Sequence, residues 1–280
     1  MKTCVIDVGG GLKGIYTVGI YDYLMDKNIS FDCGIGISAG SANLASYLAN
    51  QKGRNFKFYT EYSFRKEYMG VGNLLHSHSF INLDYIYSTL SNSDGEYPFD
   101  YKKMIANPML FYVIAANAET GEAKYFTKED IKQDNYDIFK ASSSIPVVCK
   151  PYVIEGIPYY DGAIADPVPV KKALEMKYDK IVLLLTRPCD KPREIGSDFK
   201  LADLIEKKYP NAAKNFRLRA TRYNEGVELA KSLEKEGKAL VVAPKDIFGI
   251  TTLNKNREDL LKLYNEGYKD AVKIAEFLKM

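Results

Sequence analysis

Tryptophan is absent from the 280 residues, histidine occurs only twice and cysteine four times. Cys4, Cys33, Cys149 and Cys189 stand singly, with no CxxC spacing, which argues against both a zinc site and a disulfide framework. They read as small buried hydrophobes in a reducing compartment. Charge of either sign is not in excess: 39 Lys+Arg face 36 Asp+Glu, a net charge of +3. No Lys/Arg run is long enough to form a basic stripe, so a nucleic-acid partner is not expected. Long apolar runs are missing too, since a stretch such as residues 181–185 falls far short of the roughly 20 residues a bilayer requires. The opening MKTCVIDVGGG carries one Lys, and Asp7 soon breaks its apolar stretch, so it reads as a first strand rather than a signal peptide. A soluble, cytoplasmic chain is expected. The acidic residues beside the glycine-rich turns (Asp7, Asp32, Asp161, Asp166) make no calcium loop, and no His/Cys cluster supports zinc. Neither metal nor cofactor is expected.

What the chain has is an ordinary globular composition, 46% hydrophobic and 27% charged. A chain of this mass can bury about three quarters of its surface on folding. Residues 3–8 form a short β-branched run that ends in glycines, and residues 13–27 carry apolar positions on one helical face. Residues 31–37 are again a short apolar run, followed at once by small residues and a helical stretch to about Asn50. Strand, turn, helix and strand in that order make a βαβ unit and a parallel pair. Further strands are expected at 109–116 with a hairpin partner at 123–126, at 152–154 and 157–160 around Glu155-Gly156, and at 180–186 and 238–243. The expected fold is α/β: a mostly parallel central sheet in three layers, with helices on both faces and a helical C-terminal extension. Residues 54–101, rich in Tyr and Phe, look like an addition to the core, and 199–237 and 257–280 like charged amphipathic helices.

Three motifs bear on chemistry. The first is Gly9, Gly10, Gly11, Leu12, Lys13 and Gly14, between a strand and a helix. It matches GxGxxG formally, but the dinucleotide reading wants an acid at the end of the second strand, where Ser38 stands. Asp32 has the spacing yet lies at the start of that strand, and no GK[ST] supports a P-loop. What remains is a run of backbone N–H groups at a helix N-terminus, suited to an anion or an oxyanion, or a turn that simply needs glycine.

The second is Gly36, Ile37, Ser38, Ala39 and Gly40, again between strand and helix, which is the context of a nucleophile elbow. The plainer alternative is a serine capping its helix. A nucleophilic serine needs a base, and the usual Ser…Asp…His order requires a late histidine. None follows residue 78, so either His76 or His78 is recruited out of order or the base is not a histidine. The third motif, Asp161, Gly162 and Ala163, offers a carboxylate whose pKa would rise in an apolar site toward the useful range. Asp before Gly is also a common turn former.

Taken together, GGGLKG, GISAG and DGA in this order resemble the patatin-like phospholipase family, whose hydrolases use a Ser–Asp dyad rather than a triad. The resemblance runs from about Cys4 to Val170 and includes ASSSIPVV and DPVPVKKAL. It implies that Ser38 is the nucleophile, Asp161 the base, and the N–H groups around Gly10, Gly11 and Leu12 the oxyanion hole. Asp166 stands near a position where the family often has Asn, and Lys13 where many members have Arg; both could alter head-group preference. A patatin-like catalytic domain is expected at 1–190; beyond about 190 the resemblance offers nothing, and the sequence pattern makes 191–280 a helical extension that adds one core strand and packs on the same domain. The expected activity is a lipid acyl hydrolase of phospholipase A or lysophospholipase type. The alternatives are a carboxylesterase or thioesterase on soluble short-chain substrates, and an idle lipid-binding protein. Expected partners are a lipid or acyl ester and, transiently, a membrane surface.

Overall fold

The computed structural model describes residues 1–253 and 255–279, apart from the side chains of 75–77. Its strands are β1 (Thr3–Asp7), β2 (Cys33–Ile37), β3 (Leu110–Asn117), β4 (Ala123–Thr127), β5 (Tyr152–Ile154), β6 (Ile157–Asp161), β7 (Lys180–Leu184) and β8 (Ala239–Val242). They pair in the order β5-β6-β3-β2-β1-β7-β8, with β4 on β3 off that path. The run from β3 through β8 is parallel, and β4, β5 and β6 join antiparallel.

The helices are α1 (Ile15–Asp26), α2 (Ala39–Leu48), α3 (Arg54–Thr60), α4 (Val71–Ser77), α5 (Tyr101–Ala106), α6 (Asp137–Ser142), α7 (Val170–Glu175), α8 (Phe199–Glu206), α9 (Pro210–Lys235), α10 (Arg257–Asp270) and α11 (Val272–Lys279). Side chains alternate across the sheet, so each strand feeds two cores. Val5, Phe111, Val113, Val182 and Leu184 face α1, α2, α6, α10 and α11. Cys4, Ile6, Ile35, Ile181 and Leu183 face α7 and α9. Both faces are covered, which is why the parallel strands read as continuous apolar runs rather than alternating ones.

Two details depart from the sequence expectation. The helix expected from Lys13 begins with a 3₁₀ turn, Gly11–Gly14, before α1. The helical stretch expected at 199–237 breaks into α8 and α9, with Pro210 in the first turn of α9, where a missing N–H leaves no bond unmade.

Helix α10 lies directly on α1. A Cβ at Gly267 would sit 1.9 Å from the Tyr16 carbonyl oxygen, and one at Gly19 would sit 2.1 Å from that of Tyr264. The two backbones therefore touch through reciprocal glycines. Tyrosine hydroxyls stitch the seam: Tyr16 donates to Asp270 at 2.7 Å, Tyr264 to Asp22 at 2.8 Å and Tyr268 to Asp26 at 2.7 Å.

The register around β3 fixes the geometry of the site. Ile114 pairs with Ile37 of β2 and with Tyr125 of β4. The next residue, Ala115, pairs with Asp161 of β6 and with Lys124 of β4. Because β4 occupies one edge of β3 at both positions, β2 and β6 must share the other. They run in opposite directions and meet end to end, Ile37 against Asp161.

Candidate active site

That meeting brings Ser38, the residue after β2, beside the last residue of β6. Ser38 has φ 56° and ψ −134°, a conformation that side-chain-bearing residues seldom adopt. The surrounding bonds hold it there. Its N–H donates to Ser142 Oγ at 2.9 Å, and that hydroxyl donates to the Ile114 carbonyl at 2.7 Å. Its carbonyl accepts from Ser41 Oγ at 2.6 Å and from the Ser41 N–H at 3.0 Å. The hydroxyl-bearing carbon is thus fixed at the N-terminus of α2, and the Ser38 side chain caps no N–H of that helix.

Asp161 is buried, 3% exposed. Burial raises its carboxyl pKa, opposed by a hydrogen bond from the Ala163 N–H at 2.9 Å, by the Ser38 hydroxyl, and by the charges of Arg219 and Arg193. Gly162 and Ala163 begin the 3₁₀ turn that follows β6.

Gly9, Gly10 and Gly11 all have positive φ and carry the chain from β1 past Ser38. At Gly9 a Cβ would lie 2.2 Å from the Ile37 carbonyl oxygen and 3.1 Å from Ser38 Cβ, so only glycine lets the loop approach the elbow this closely. The Gly9 N–H donates to Asp7 Oδ1 at 2.9 Å, and Thr186 Oγ1 donates to the Gly9 carbonyl. The N–H groups of Gly10 and Gly11 have no protein acceptor among the described residues. Leu12 is buried, Lys13 is half-buried, and Gly14 leads into α1. Of the elbow neighbours, Gly36 and Ile37 end β2, and Ala39 and Gly40 begin α2.

Two cavities meet at Ser38. One, of about 690 Å³, is walled by the expected addition at 54–101: Phe58, Tyr59, Met69, Ile81, Leu83 and Ile86. The other is an open cleft of about 1510 Å³ that takes in Gly9, Gly10, Gly11, Asp161 and several basic side chains. His78 is exposed and lines neither cavity; the side chain of His76 lies outside the described residues. Asp166 sits apart and accepts a hydrogen bond from Tyr125.

The sequence reading missed several residues around this point. Asp7 is fully buried, and its carboxyl pKa is pushed up to about 6 by burial, against the pull of the Gly9 N–H. Ser142 braces the elbow, and only the small-residue run ASSS marked its neighbourhood. Arg54, 5% exposed, forms part of the apolar cavity's wall, and its Nη2 donates to Ser91 Oγ at 2.8 Å and to the Tyr97 carbonyl at 3.2 Å. The Phe58 ring covers its guanidinium at 4.4 Å, and burial brings its pKa down to about 10.

A glycine loop, a strained serine turn and a buried aspartate at the strand ends of a three-layer α/β sheet define a class of protein, and sequence comparison agrees. The chain belongs to the patatin-like phospholipase family, whose model matches residues 8–174. A domain of unknown function, DUF6363, matches residues 209–279. Over 189 residues the chain is 30% identical to the uncharacterized protein YjjU of Escherichia coli (strain K12). That match covers 67% of this chain and 52% of the other, so the chain spans about half the length of the curated relative it matches. The crystal structure of VipD from Legionella pneumophila is similar with a TM-score of 0.49 at 15% identity, over 98% of this chain and 66% of that one.

Proposed function

We propose that the protein is a lipid acyl hydrolase of phospholipase A or lysophospholipase type, in which Ser38 is the nucleophile and Asp161 its base. The observation that carries this reading is the end-to-end meeting of β2 and β6 on one edge of β3. It puts a strained serine and a buried carboxyl side by side, with no histidine among the described residues that line the two cavities. Asp161 takes the proton from Ser38 Oγ as the oxygen attacks the ester carbonyl carbon. The Gly10 and Gly11 N–H groups, with Leu12 beside them, receive the oxyanion. The acyl–oxygen bond then breaks, and the alcohol leaves with the proton held by Asp161. A water that gives its proton to Asp161 attacks the acyl-serine, and the fatty acid departs as Ser38 recovers its proton.

The apolar cavity favours an acyl chain over a small polar acid. On the segment that walls it, Val71 and Leu74 lie three residues apart on α4 with 71% and 39% of their surface exposed, a suitable point of transient contact with a membrane surface. The test is fluorophosphonate labelling together with turnover of p-nitrophenyl esters of increasing chain length. Label on Ser38 that vanishes in Ser38→Ala, with preference for long chains, supports the proposal. Short-chain preference would favour a soluble carboxylesterase or thioesterase. Absence of turnover, with labelling unchanged in the mutant, would leave a lipid-binding protein.

A further inference from the structure

The apolar cavity holds a charge that the fold does not neutralise. Arg54 is the one charged side chain among the described residues that line it, and it forms no ion pair among them. The rings of Phe58, Phe99 and Tyr97 surround its guanidinium at 4.4, 5.6 and 5.7 Å. Its Nη2 donates to Ser91 Oγ and the Tyr97 carbonyl, its Nη1 reaches Ser46 Oγ only at 3.5 Å, and its Nε is buried with no hydrogen-bond partner. Asn43 and Asn55 line the same cavity, but they are bonded to each other, to Thr17 and Ser46, and to backbone carbonyls. Burial brings the Arg54 pKa down only to about 10, so the group keeps its charge at neutral pH. A buried cation offered nothing but neutral acceptors is costly, and an uncharged donor would tie Ser91 and Tyr97 together without that cost.

The guanidinium also stands at a definite distance from Ser38. A further cavity of about 240 Å³ adjoins the first and shares Ala42, Arg54, Tyr87 and Ser91 with it. Ser38, Ala42 and Ser46 follow one another at four-residue intervals on one face of α2, so the helix floors the path from Ser38 to the guanidinium. From residue 38 to residue 46 the helix rises about 12 Å. An extended alkyl chain with C–C bonds of about 1.5 Å covers that span with roughly eight to ten carbons. The small side chains of Ala42 and Ala45 leave room for it.

We propose that Arg54 binds the far end of the acyl chain, so that the protein prefers acyl esters whose chain of about eight to ten carbons ends in a carboxylate. The inference rests on the acyl-hydrolase reading for the ester bond at Ser38, though not for the binding of the carboxylate. The terminal carboxylate accepts from the guanidinium and reacts with nothing; the ester is cut at Ser38, and a dicarboxylate departs. An uncharged chain of the same length buries more apolar surface, so hydrophobic burial alone ranks it first, and a reversed order has to come from the cation. Oxidative cleavage of an unsaturated chain near its middle is the class of reaction that leaves such an end.

The test compares mono-p-nitrophenyl nonanedioate with p-nitrophenyl nonanoate on the full-length protein. In the wild type kcat/KM should be about tenfold or more higher for the half-ester. That preference should peak at nonanedioate and fall for the hexanedioate and dodecanedioate half-esters, each set against its own monoacid ester, a pattern that needs no mutant. Arg54→Met should bring the ratio to one or below, with a cooperative thermal melt checking that the variant is folded. Raising salt should leave the wild-type ratio largely intact, because a buried pair is little screened. A preference that salt abolishes and Arg54→Met leaves in place would put the carboxylate in the open basic cleft and overturn the proposal, as would a neutral ester favoured at every length. On Ser38→Ala, calorimetry should find monomethyl nonanedioate bound about tenfold or more tightly than methyl nonanoate. Such binding, with no ester turnover by the wild type, would sink the hydrolase reading and keep the carboxylate site. Turnover of both esters without discrimination would keep the hydrolase and remove the site.

Discussion

Glycine at position 38 should give a more stable protein than alanine there, the reverse of the usual order. Both substitutions delete the hydroxyl and its interaction with Asp161, so their difference isolates the Cβ atom. At φ 56° and ψ −134° that atom is crowded against its own backbone, and strain of this kind costs about 1–3 kcal/mol. Glycine removes the crowding but gives back about 0.5–1 kcal/mol through the greater freedom of the unfolded chain. The balance favours Ser38→Gly over Ser38→Ala by about 1 kcal/mol, or about 2 °C in melting temperature for a domain of this size. At an ordinary helix or strand position the same comparison runs about 0.5–1 kcal/mol the other way, so the sign alone is decisive. Urea unfolding of the two variants, with equal m-values, measures it. The bonds from Ser142 and Ser41 hold the elbow in both proteins, since they involve only the backbone of residue 38. An alanine variant as stable as the glycine one would mean that residue 38 is not held under strain, and would remove the physical reason for placing a nucleophile there.

Asp161→Asn should lower kcat by about 10² or more, whereas His76→Gln/His78→Gln leaves turnover largely intact; steady-state kinetics on a soluble ester decides between them. The wild-type profile should rise with pH through a carboxylate raised by burial, because the base works only when ionised. The same raised pKa means that the native state holds its proton more tightly than the unfolded state. Stability relative to Asp161→Asn should therefore fall as pH rises from about 4 upward through the folded pKa, measured by urea midpoints across pH. Gly267→Val should place a branched side chain against the Tyr16 carbonyl, where a Cβ would already lie 1.9 Å away, and cost about 3 kcal/mol or more by thermal melting. EDTA should leave ester turnover unchanged, and loss of activity restored by calcium would overturn a metal-free mechanism.

Ser38 and its glycine neighbours were legible because everything that makes an elbow is local: strand end, turn and helix start lie within a few consecutive residues. Asp161 was legible only as a candidate. Its relation to Ser38 depends on which edge of β3 takes β6, and that register is set by a pairing more than a hundred residues distant from the elbow in sequence. Ser142 is hidden for the same reason, since one serine in a run of three has no mark until α6 is laid against β3.

The cationic cleft was invisible for a different reason. Of its five basic residues only Lys13 lies in a motif; Arg187, Lys191, Arg193 and Arg219 are scattered over a loop and a helix in a chain whose opposite charges nearly cancel, so neither net charge nor any run of like charges announces them. Composition averages over the whole surface, whereas electrostatic recognition depends on the few charges that share one space. Segment 54–101 makes the complementary case. Its aromatic richness was plain, but aromatic side chains pack against a core and wall a cavity with the same composition. Phe58, Met69 and Ile81 do both, packing with Tyr62 and Leu83 in a core cluster and lining the space that Ser38 also lines. The motifs therefore mark the serine and the carboxyl that β2 and β6 bring together, while most of the lining on either side of Ser38 comes from parts of the chain that carry no motif.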